Sequence, residues 1–369
     1  MNSRVTLFDI ADALGVSTGT VHRALHDHPG VSPMTKSKVL RMAKNLGYRP
    51  NLAARYLSSR KNVRISVITL QGTTSFWDEV RAGITEEATA LRLENVELEF
   101  LTYPRLGEGD EEAFAATLDS EVDGIIVFPS QPHKLRSWIR RASRHSIPVV
   151  CVVTDAPNTS RLAVVSIDAP GSGSLAADLM GRFLNGSGTL AVTLSDLGIT
   201  EHAEKCAAFE KTLRSLHPNM RLLKPIEDHD IETEAYEKSR KLFTAHPELS
   251  GVYITTEASI PVIKAARDAS MLHRLTIITT DLFPALTEEI RSGTIVGTIY
   301  QRPRTQGRMA FRVLREFLTE GQCPSYQVTL APHLVMRGNL DYFLARQSGD
   351  PTSEKGLQGA SSYLSERLG

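Results

Sequence analysis

Residues 7–25 read LFDIADALGVSTGTVHRAL, and this stretch determines how the first part of the chain folds. Its apolar residues recur at helical spacing in two short runs, which predicts two consecutive helices. Gly15 lies between them and permits the positive φ that a tight turn between helices requires. Ser17 can accept a hydrogen bond from the free amides that begin the second helix. The pattern predicts a helix-turn-helix, the motif that places its second helix in the major groove of DNA.

The alternative interpretation is a helical hairpin that packs on another element, and the distribution of charge argues against it. Residues 1–61 hold ten Lys or Arg and three Asp, a net charge of +7. The remaining residues hold 32 basic and 39 acidic side chains, a net charge of −7, so the neutral total conceals a basic head on an acidic body. This asymmetry is typical of a nucleic-acid-binding module joined to a module that binds something else.

The composition excludes several classes of protein. With 369 residues, 41% hydrophobic and 23% charged, the chain resembles globular proteins of two or three domains. It has no apolar run of about 18 residues and no apolar signal core, so we expect a cytoplasmic, nucleoid-associated protein without membrane contact. Cys151, Cys206 and Cys323 lie too far apart for a metal-ligand spacing, so we expect reduced cysteines, no metal and no cofactor.

A third helix is predicted over residues 33–46, with Ser32 as its N-cap and Gly47 at its end. Its expected apolar face consists of Val39, Leu40, Ala43 and Leu46. These elements together predict an all-α helix-turn-helix domain over residues 1–49.

A further short helix is predicted over residues 52–57, capped by Asn51 and followed by a polar linker. These features predict a short helix and a linker over residues 50–62, with a domain boundary near residue 62.

The rest of the chain alternates apolar runs of strand length with amphipathic runs of helix length. The predicted strands lie at residues 65–70, 96–101, 124–128, 147–153, 190–194, 251–254, 275–279 and 294–300. This alternation is typical of parallel sheets with helices on both faces, and its length predicts more than one sheet. We expect an α/β body over residues 63–345, then a tail over residues 346–369 whose composition predicts mobility.

The head resembles the LacI/GalR family of bacterial transcription regulators across residues 9–57, DIADALGVSTGTVHRALHDHPGVSPMTKSKVLRMAKNLGYRPNLAARYL. The body is similar to periplasmic sugar-binding proteins of the ribose type. The segments that carry this similarity are SFWDEVRAGITEEA (75–88), VDGIIVFP (122–129), IPVVCVVTD (147–155), TIITTDLFP (276–284) and GTIYQRPRTQGRMAFRVL (297–314). The resemblance implies a two-lobed, periplasmic-binding-protein-like body of Rossmann-like parallel sheets. It also implies a homodimer that binds a near-palindromic double-stranded DNA operator and a small effector.

The resemblance implies which residues of the head contact DNA. Thr18, Gly19 and Arg23 take the positions that the family points at base edges, and Arg23 suits a bidentate contact to guanine. Gly19 offers no side chain to a base, and His22 replaces a common small hydroxyl, so the operator sequence stays open. The expected phosphate contacts are Thr6, Ser17, Thr20 and Asn51. For Thr20, a hydroxyl bonded within its own helix is the alternative.

The segment NLAARYL (51–57) resembles the family's hinge helix. Leu57 matches the leucine that wedges between base steps in the minor groove, and Ala54 matches the small residue that lets two such helices pack in a dimer. An isolated helix of this length is marginal in water, so we expect it to become ordered on DNA. The alternative is an inert linker with one exposed leucine.

The expected effector site lies at the carboxyl ends of the strands, where open α/β sheets bind ligands. Sugars need aromatic faces for their rings and carboxylates or amides for their hydroxyls. Phe76 and Trp77 follow the first strand, where ribose-type proteins place stacking aromatics, with core packing as the alternative. Asp281 and Gln301 match family residues that bind sugar hydroxyls, although an aspartate after a strand is often a helix cap.

Other positions near the expected site depart from the family. Thr154 or Asp155 falls near an Asp-Arg pair of ribose-binding proteins, in a register that leaves both as candidates. Thr256 and Glu257 replace an Asn-Asp pair. In EHAEKCAAF (201–209), Lys205 stands where the family usually has an Arg. These departures predict a pocket whose lining side chains differ from those of the family. A sugar or sugar derivative is still the expected effector.

An enzyme is the main rival class. The chain contains no HExxH or GxxxxGK motif, and the glycines of residues 169–181 fit a helix start, so no catalytic residues are predicted. A transport-associated binding protein would not need the basic head, and an architectural DNA-binder would not need the body. We expect a dimeric, ligand-responsive regulator of carbohydrate-related genes, a repressor, whose effector either induces or corepresses.

Overall fold

The computed structural model describes residues 7–25, 30–46, 63–71, 75–90, 96–321 and 325–347. Residues 1–61 with 316–322 form one compact unit, and residues 62–315 with 323–369 form the other. Some predicted sites lie outside the described residues: Thr6, the hinge residues Asn51, Ala54 and Leu57, and the tail from residue 348 onward.

The head contains α1 (Leu7–Leu14), α2 (Thr18–Leu25) and α3 (Pro33–Asn45). The turn between α1 and α2 has the predicted geometry, since Gly15 adopts a φ of +61°. The predicted N-cap of α2 is also confirmed, because the Ser17 hydroxyl accepts a hydrogen bond from the Thr20 amide at 3.1 Å.

The cap of the third helix is confirmed in the same way, since the Ser32 hydroxyl accepts a hydrogen bond from the Thr35 amide at 3.2 Å. The expected apolar face of that helix is partly wrong. Val39 and Ala43 are buried in the head core, but Leu40 and Leu46 are 45% and 38% exposed. Met42 packs against the core instead, because the helix turns residues 39, 42 and 43 toward α1 and α2.

The first lobe of the body, the N-lobe, is a parallel sheet covered by helices. Its strands are β1 (Val63–Leu70), β2 (Val96–Tyr103), β3 (Gly124–Val127), β4 (Val149–Val153), β5 (Ala163–Ile167) and β12 (Gln327–Leu330), in the spatial order β12-β5-β4-β3-β1-β2. Its helices are α4 (Ser75–Ala90), α5 (Asp110–Asp119), α6 (Pro132–Arg144) and α12 (Pro303–Glu320). The start of α12 is fixed to α4, since the Arg304 guanidinium donates to the Glu79 carboxylate at 2.8 and 3.0 Å.

The second lobe, the C-lobe, holds the other sheet. Its strands are β6 (Gly188–Leu194), β7 (Met220–Leu222), β8 (Ile226–Glu227), β9 (Leu249–Ile254), β10 (Thr276–Thr280), β11 (Gly297–Tyr300) and β13 (His333–Val335). The spatial order is β13-β11-β10-β9-β6-β7, β8 pairs with β6, and β13 runs antiparallel to β11. Its helices are α7 (Ala169–Phe183), α8 (Thr200–Leu216), α9 (Glu232–Ala245), α10 (Ser259–Asp268), α11 (Pro284–Ser292) and α13 (Leu340–Gln347).

The predicted α/β body is confirmed as two lobes with parallel sheets, and every predicted strand is present with shifted ends. The predicted strand at 147–153 begins at Val149, and the one at 294–300 begins at Gly297. The sequence interpretation missed β5, which follows β4 after a short loop, and the short strands β7, β8, β12 and β13. The glycine-containing start of α7 is confirmed as a helix start, because the Asp168 carboxylate accepts from the Gly171 amide at 2.8 Å.

Candidate nucleic-acid interface and effector site

The second helix of the helix-turn-helix presents its predicted contact residues to solvent. Ser17, Thr18, Gly19 and Arg23 are exposed, whereas Val21 and Ala24 are buried in the head core. The amphipathic α2 therefore separates a packing face from a face that is open to a partner. His22 lies in α2, and its backbone is helical.

Of two predicted DNA contacts in α2, Thr20 has a local explanation in the structure and Gly19 has none. The Thr20 hydroxyl hydrogen-bonds the Ser17 hydroxyl at 2.9 Å, which is the local bond that the sequence left open as the alternative. A Cβ at Gly19 would meet its nearest atoms at 3.8 Å, which is ordinary van der Waals contact. The fold of the head therefore does not require glycine at that position, although glycine in a helix costs about 1 kcal/mol relative to alanine.

Asp281 and Gln301, predicted as effector ligands, lie together at the carboxyl ends of β10 and β11. The Gln301 side-chain amide donates to Asp281 Oδ2 at 2.7 Å, and its backbone amide donates to Asp281 Oδ1 at 3.2 Å. Asp281 adopts a φ of +67°, which turns its carboxylate back toward the neighbouring strand. The two residues are 3% and 5% exposed, so their polar groups satisfy each other inside the C-lobe.

Lys205 extends this pair into a buried ionic network. Its ammonium donates to Gln301 Oε1 at 2.8 Å and to the Thr255 carbonyl at 3.5 Å, and it forms an ion pair with Glu201 one turn earlier in α8. The Lys205 side chain is wholly buried, and that of Glu201 is 5% exposed. We call Glu201, Lys205, Gln301 and Asp281 the C-lobe relay, since they form a continuous chain of polar contacts from α8 to β10.

The position of Lys205 depends on a close helix contact between α7 and α8. A Cβ at Gly173 in α7 would lie 2.1 Å from the Lys205 carbonyl oxygen, a distance that no side chain can occupy. The glycine therefore sets the depth at which α8 packs, and with it the position of the Lys205 ammonium.

The environment of the relay shifts the pKa of its carboxyl groups. Burial raises the pKa of Asp281 to about 6, although the Lys205 ammonium and the two bonds from Gln301 act in the opposite direction. At the edge of the same region, burial and the charges of Glu201, Asp155 and Asp168 raise the pKa of Glu204. Carboxylates outnumber cations around this end of α8.

The two lobes touch where β4 ends and α8 begins. The Thr154 hydroxyl accepts a hydrogen bond from the Glu201 amide at 3.2 Å, and the Thr200 hydroxyl donates to the Asp155 carbonyl at 3.2 Å. The N-cap residue of α8, Ile199, has no polar side chain to cap the helix, and Thr154 satisfies one of its free amides from across the crevice. Thr154 thus contacts the C-lobe through its side chain and Asp155 only through its backbone carbonyl.

The backbone before Thr154 is strained. Val153 adopts a φ of +73°, and the Thr154 amide donates to the Val152 carbonyl at 2.9 Å, which closes a tight turn rarely adopted by β-branched residues. Strain of this kind concentrates at functional sites. The turn also orients Asp155, whose carboxylate pairs with Arg161 through two contacts, one of them from Nη2 at 2.8 Å.

The predicted stacking residues form an aromatic cluster at the carboxyl end of the N-lobe sheet. The rings of Phe76 and Trp77 have centroids 5.1 Å apart, and the ring centroids of Trp77 and Phe128 are 4.4 Å apart. Phe76 and Trp77 are 7% and 6% exposed. Their present contacts are those of core aromatics, the alternative that the sequence left open.

Thr256 does not join the relay. Its hydroxyl accepts from the Ala258 amide at 3.2 Å at the start of α10, next to Thr255, whose carbonyl contacts Lys205. The sequence interpretation noted Lys205 but did not place it in the site, and it missed Glu201, Arg161 and Phe128. Phe128 directly follows β3 and Glu201 lies in the first turn of α8, and these positions are the signal that marks them, whereas Arg161 lies just before β5 and carries no such signal.

Metal binding and membrane insertion find no support among the described residues. They contain no group of three or more His, Cys, Asp or Glu side chains arranged to hold a metal ion. Within the same residues, no helix is both long and apolar enough to cross a bilayer.

Comparison with known families assigns both parts of the chain. Residues 6–51 match the family described as bacterial regulatory proteins, lacI family, and residues 65–322 match the periplasmic binding protein domain. The chain therefore belongs to the periplasmic binding protein domain family through its body, and its head is similar to the lacI family of bacterial regulatory proteins. The resemblance found in the sequence is thereby confirmed for both the head and the body.

Individual relatives agree with this assignment. The chain is similar to catabolite control protein A of Priestia megaterium, with 25% identity over 345 residues that cover 90% of this chain and 97% of the relative. It is 31% identical to catabolite control protein A of Staphylococcus epidermidis over 44% of this chain and 48% of that protein. A glucose–galactose binding protein from Geobacillus stearothermophilus has the fold of the body, with a TM-score of 0.71, 22% identity, and coverage of 76% and 99%.

Proposed function

We propose that this protein is a ligand-responsive, sequence-specific transcription regulator that represses carbohydrate-related genes. The observation that carries the proposal is the combination of an exposed, Ser17-capped second helix with a two-lobed body whose strand ends meet across a crevice. The head supplies DNA recognition, and the body supplies a site that a small molecule can reach by moving the lobes. Two chains would bind a near-palindromic operator in the cytoplasm, with one recognition helix in each half-site.

The proposed DNA contacts are those that the family positions imply. Arg23 reads guanine, and Ser17, Thr20, Thr6 and Asn51 contact phosphates. Leu57 wedges into the minor groove, with Ala54 at the contact between the two hinge helices. The exposure of Arg23 beside Gly19 supports the first of these roles, since both lie on the open face of α2.

The proposed effector is a sugar or sugar derivative that binds between the lobes. Asp281 and Gln301 offer carboxylate and amide groups for hydroxyls. Thr154 and Asp155 would approach the ligand from the end of β4, and Thr256 from the end of β9. Phe76 and Trp77 offer aromatic surface once the lobes open. The glucose–galactose binding protein supports this class of ligand, since it has the same fold as the body.

Ligand binding would act on DNA through the contacts between the lobes. A sugar that inserts between Asp281 and Asp155 must compete with the bonds that hold β4 to the start of α8. A ligand can shift the equilibrium between open and closed lobes only if it binds the two states with different affinities. The change in operator affinity therefore measures the difference between the ligand's affinities for the open and the closed lobes. The sign, induction or corepression, follows from which state the operator complex prefers.

Two measurements test the proposal separately. Selection of duplexes from a random pool should return a near-palindromic sequence, and Arg23→Ala should relax its specificity at one base pair by about 1–3 kcal/mol. Leu57→Ala should abolish tight operator binding and leave ligand binding unchanged. Failure to enrich any sequence would contradict the DNA-binding half.

Thermal unfolding against mono- and disaccharides, sugar acids and phosphosugars tests the effector half. A ligand at a hundred times its Kd should stabilise the protein by about 2.7 kcal/mol, and Asp281→Ala should abolish that shift. A panel without a stabilising compound would contradict the sugar assignment and leave DNA binding in place.

A further inference from the structure

Helix α6 of the N-lobe carries a face that neither the effector site nor the DNA-binding head uses. Residues 131–146, QPHKLRSWIRRASRHS, hold five Lys or Arg and no acidic residue, within a body whose net charge is −7. Pro132, Leu135, Ile139 and Ala142 are buried against the sheet and fix the helix in one orientation. The five basic side chains are exposed: Lys134, Arg136, Arg140, Arg141 and Arg144. We call them the α6 basic face.

Only one of the five cations of the α6 basic face has an ion-pair partner among the described residues. Arg141 lies 3.8 Å from Asp119, with both side chains at least half exposed. Within the part of the chain that the structure describes, Lys134, Arg136, Arg140 and Arg144 form no ion pair. Other helices pair some of their cations one turn away along the same helix: Arg182 with Asp178, Arg214 with Glu210, and Lys264 with Asp268. On α6, four cations that the described structure leaves unpaired share one helix, and this concentration of positive charge distinguishes the face.

The topology places one end of this face at a particular edge of the N-lobe sheet. Strands β1, β3 and β4 are parallel, so their amino ends share one edge. α6 ends just before β4, which brings Arg140 and Arg144 toward that edge. β1 begins at Val63, directly after the predicted hinge segment, so the chain enters the body at the same edge.

We propose that the α6 basic face binds phosphates of duplex DNA beside the operator. This interaction rests on the proposed DNA-binding function and adds to it a sequence-independent contribution from the body. From Lys134 to Arg144 the helix rises about 15 Å, a length over which a duplex carries about nine phosphate charges. The covalent link to the head raises the local concentration of DNA, so interactions too weak to act alone contribute to the complex.

The test compares two full-length variants in which the same charge is removed at different places. One carries Lys134→Gln, Arg136→Gln, Arg140→Gln and Arg144→Gln. The matched control carries Lys211→Gln, Lys224→Gln, Lys241→Gln and Arg274→Gln, four exposed C-lobe cations without an ion pair among the described residues. Both, with the wild type, are titrated by fluorescence anisotropy onto the bare operator and onto the operator with long flanks, at about 50 to 200 mM salt. Circular dichroism and thermal unfolding establish that each is folded.

On the flanked duplex, the α6 variant should show a salt dependence of log Kobs that is flatter by about one unit for each phosphate that it no longer binds. On the bare operator it should match the wild type, and the control should match the wild type on both. If the α6 variant had the same slope as the wild type on the flanked duplex, the proposal would be overturned. The α6 basic face would then fit an acidic protein surface as its partner. If the control variant showed the same flattening of the salt dependence, the effect would come from net charge alone, and the proposal would be overturned. A wild type that binds neither duplex would overturn the DNA-binding function as well.

Discussion

The N-lobe covers its strand ends with aromatic rings, Phe76, Trp77 and Phe128, whereas the C-lobe covers the facing ends with the relay of Glu201, Lys205, Gln301 and Asp281. The two lobes have similar architectures but stabilise the crevice by different forces. Aromatic packing is insensitive to pH and salt, while a buried ion pair depends on both partners being present and charged. The two sides of the crevice should therefore respond differently to pH and to the loss of a single side chain.

The largest effect is expected from breaking the relay. Lys205→Ala leaves the Glu201 carboxylate buried without its ammonium partner and should lower the free energy of unfolding by about 3–5 kcal/mol. Denaturant unfolding measures this loss. Lys211→Ala, an exposed change in the same helix, is the matched control and should cost less than about 0.5 kcal/mol. Equal losses in the two variants would mean that the relay contributes no specific stabilisation.

The next largest effect is the contribution of Asp281 to the pH dependence of the free energy of unfolding. Its pKa in the folded protein is about 6, above its ordinary value of 3.8, so the folded state binds the proton more tightly. This contribution to stability is fully present below about pH 4 and is lost as the pH rises through about 6, by as much as about 3 kcal/mol. Asp281→Asn should remove that part of the pH dependence. Unfolding free energies of wild type and variant that run parallel from pH 4 to 8 would contradict the assignment.

For the aromatic cluster of the N-lobe, we predict a smaller loss in the free energy of unfolding, one that does not depend on pH. Trp77→Leu keeps an apolar side chain but gives up the ring packing with Phe76 and Phe128, so it should cost about 1–3 kcal/mol. Unlike the change at Asp281, the loss should be the same at pH 5 and pH 8, as measured by denaturant unfolding. A loss that varies with pH by more than the experimental error would show that the two lobes are not chemically distinct.

The smallest effect concerns the hydrogen bond between the lobes. Thr154→Val removes the acceptor for the Glu201 amide and should cost about 0.5–1.5 kcal/mol. Thr256→Val also removes one acceptor, but within the C-lobe, and is the control. Only the first variant should increase the radius of gyration in small-angle scattering. An unchanged radius would mean that this bond does not hold the lobes together.

Local signals in the sequence predicted the head well. Gly15, Ser17 and Ser32 act within one helical turn of their own positions, so a short stretch contains all the information needed. Leu40 and Leu46 were assigned wrongly because the burial of a helix face depends on what packs against it, which helical spacing alone does not specify.

In the body, the alternation of strands and helices predicted the two parallel sheets, and strand ends pointed to Asp281 and Gln301. The role of Lys205 was harder to predict, because its partner Gln301 lies 96 residues away in the sequence and the two meet only after α8 packs on α7. Contacts between residues so far apart in the sequence depend on how the helices and strands pack, and the spacing of residues along the chain does not predict them. The short strands β7, β8, β12 and β13 were missed because they contain only two to four residues each.

In the proposed function, a ligand bound in the crevice controls DNA binding. The direct measurement is operator affinity, by fluorescence anisotropy, with and without the compound that most stabilises the wild type in the thermal panel. We predict that a saturating compound changes Kd at least about fivefold, as typical allosteric coupling energies require, and that Asp281→Ala removes the change while binding the bare operator normally. An operator affinity that stays constant while the compound stabilises the body would contradict this mechanism.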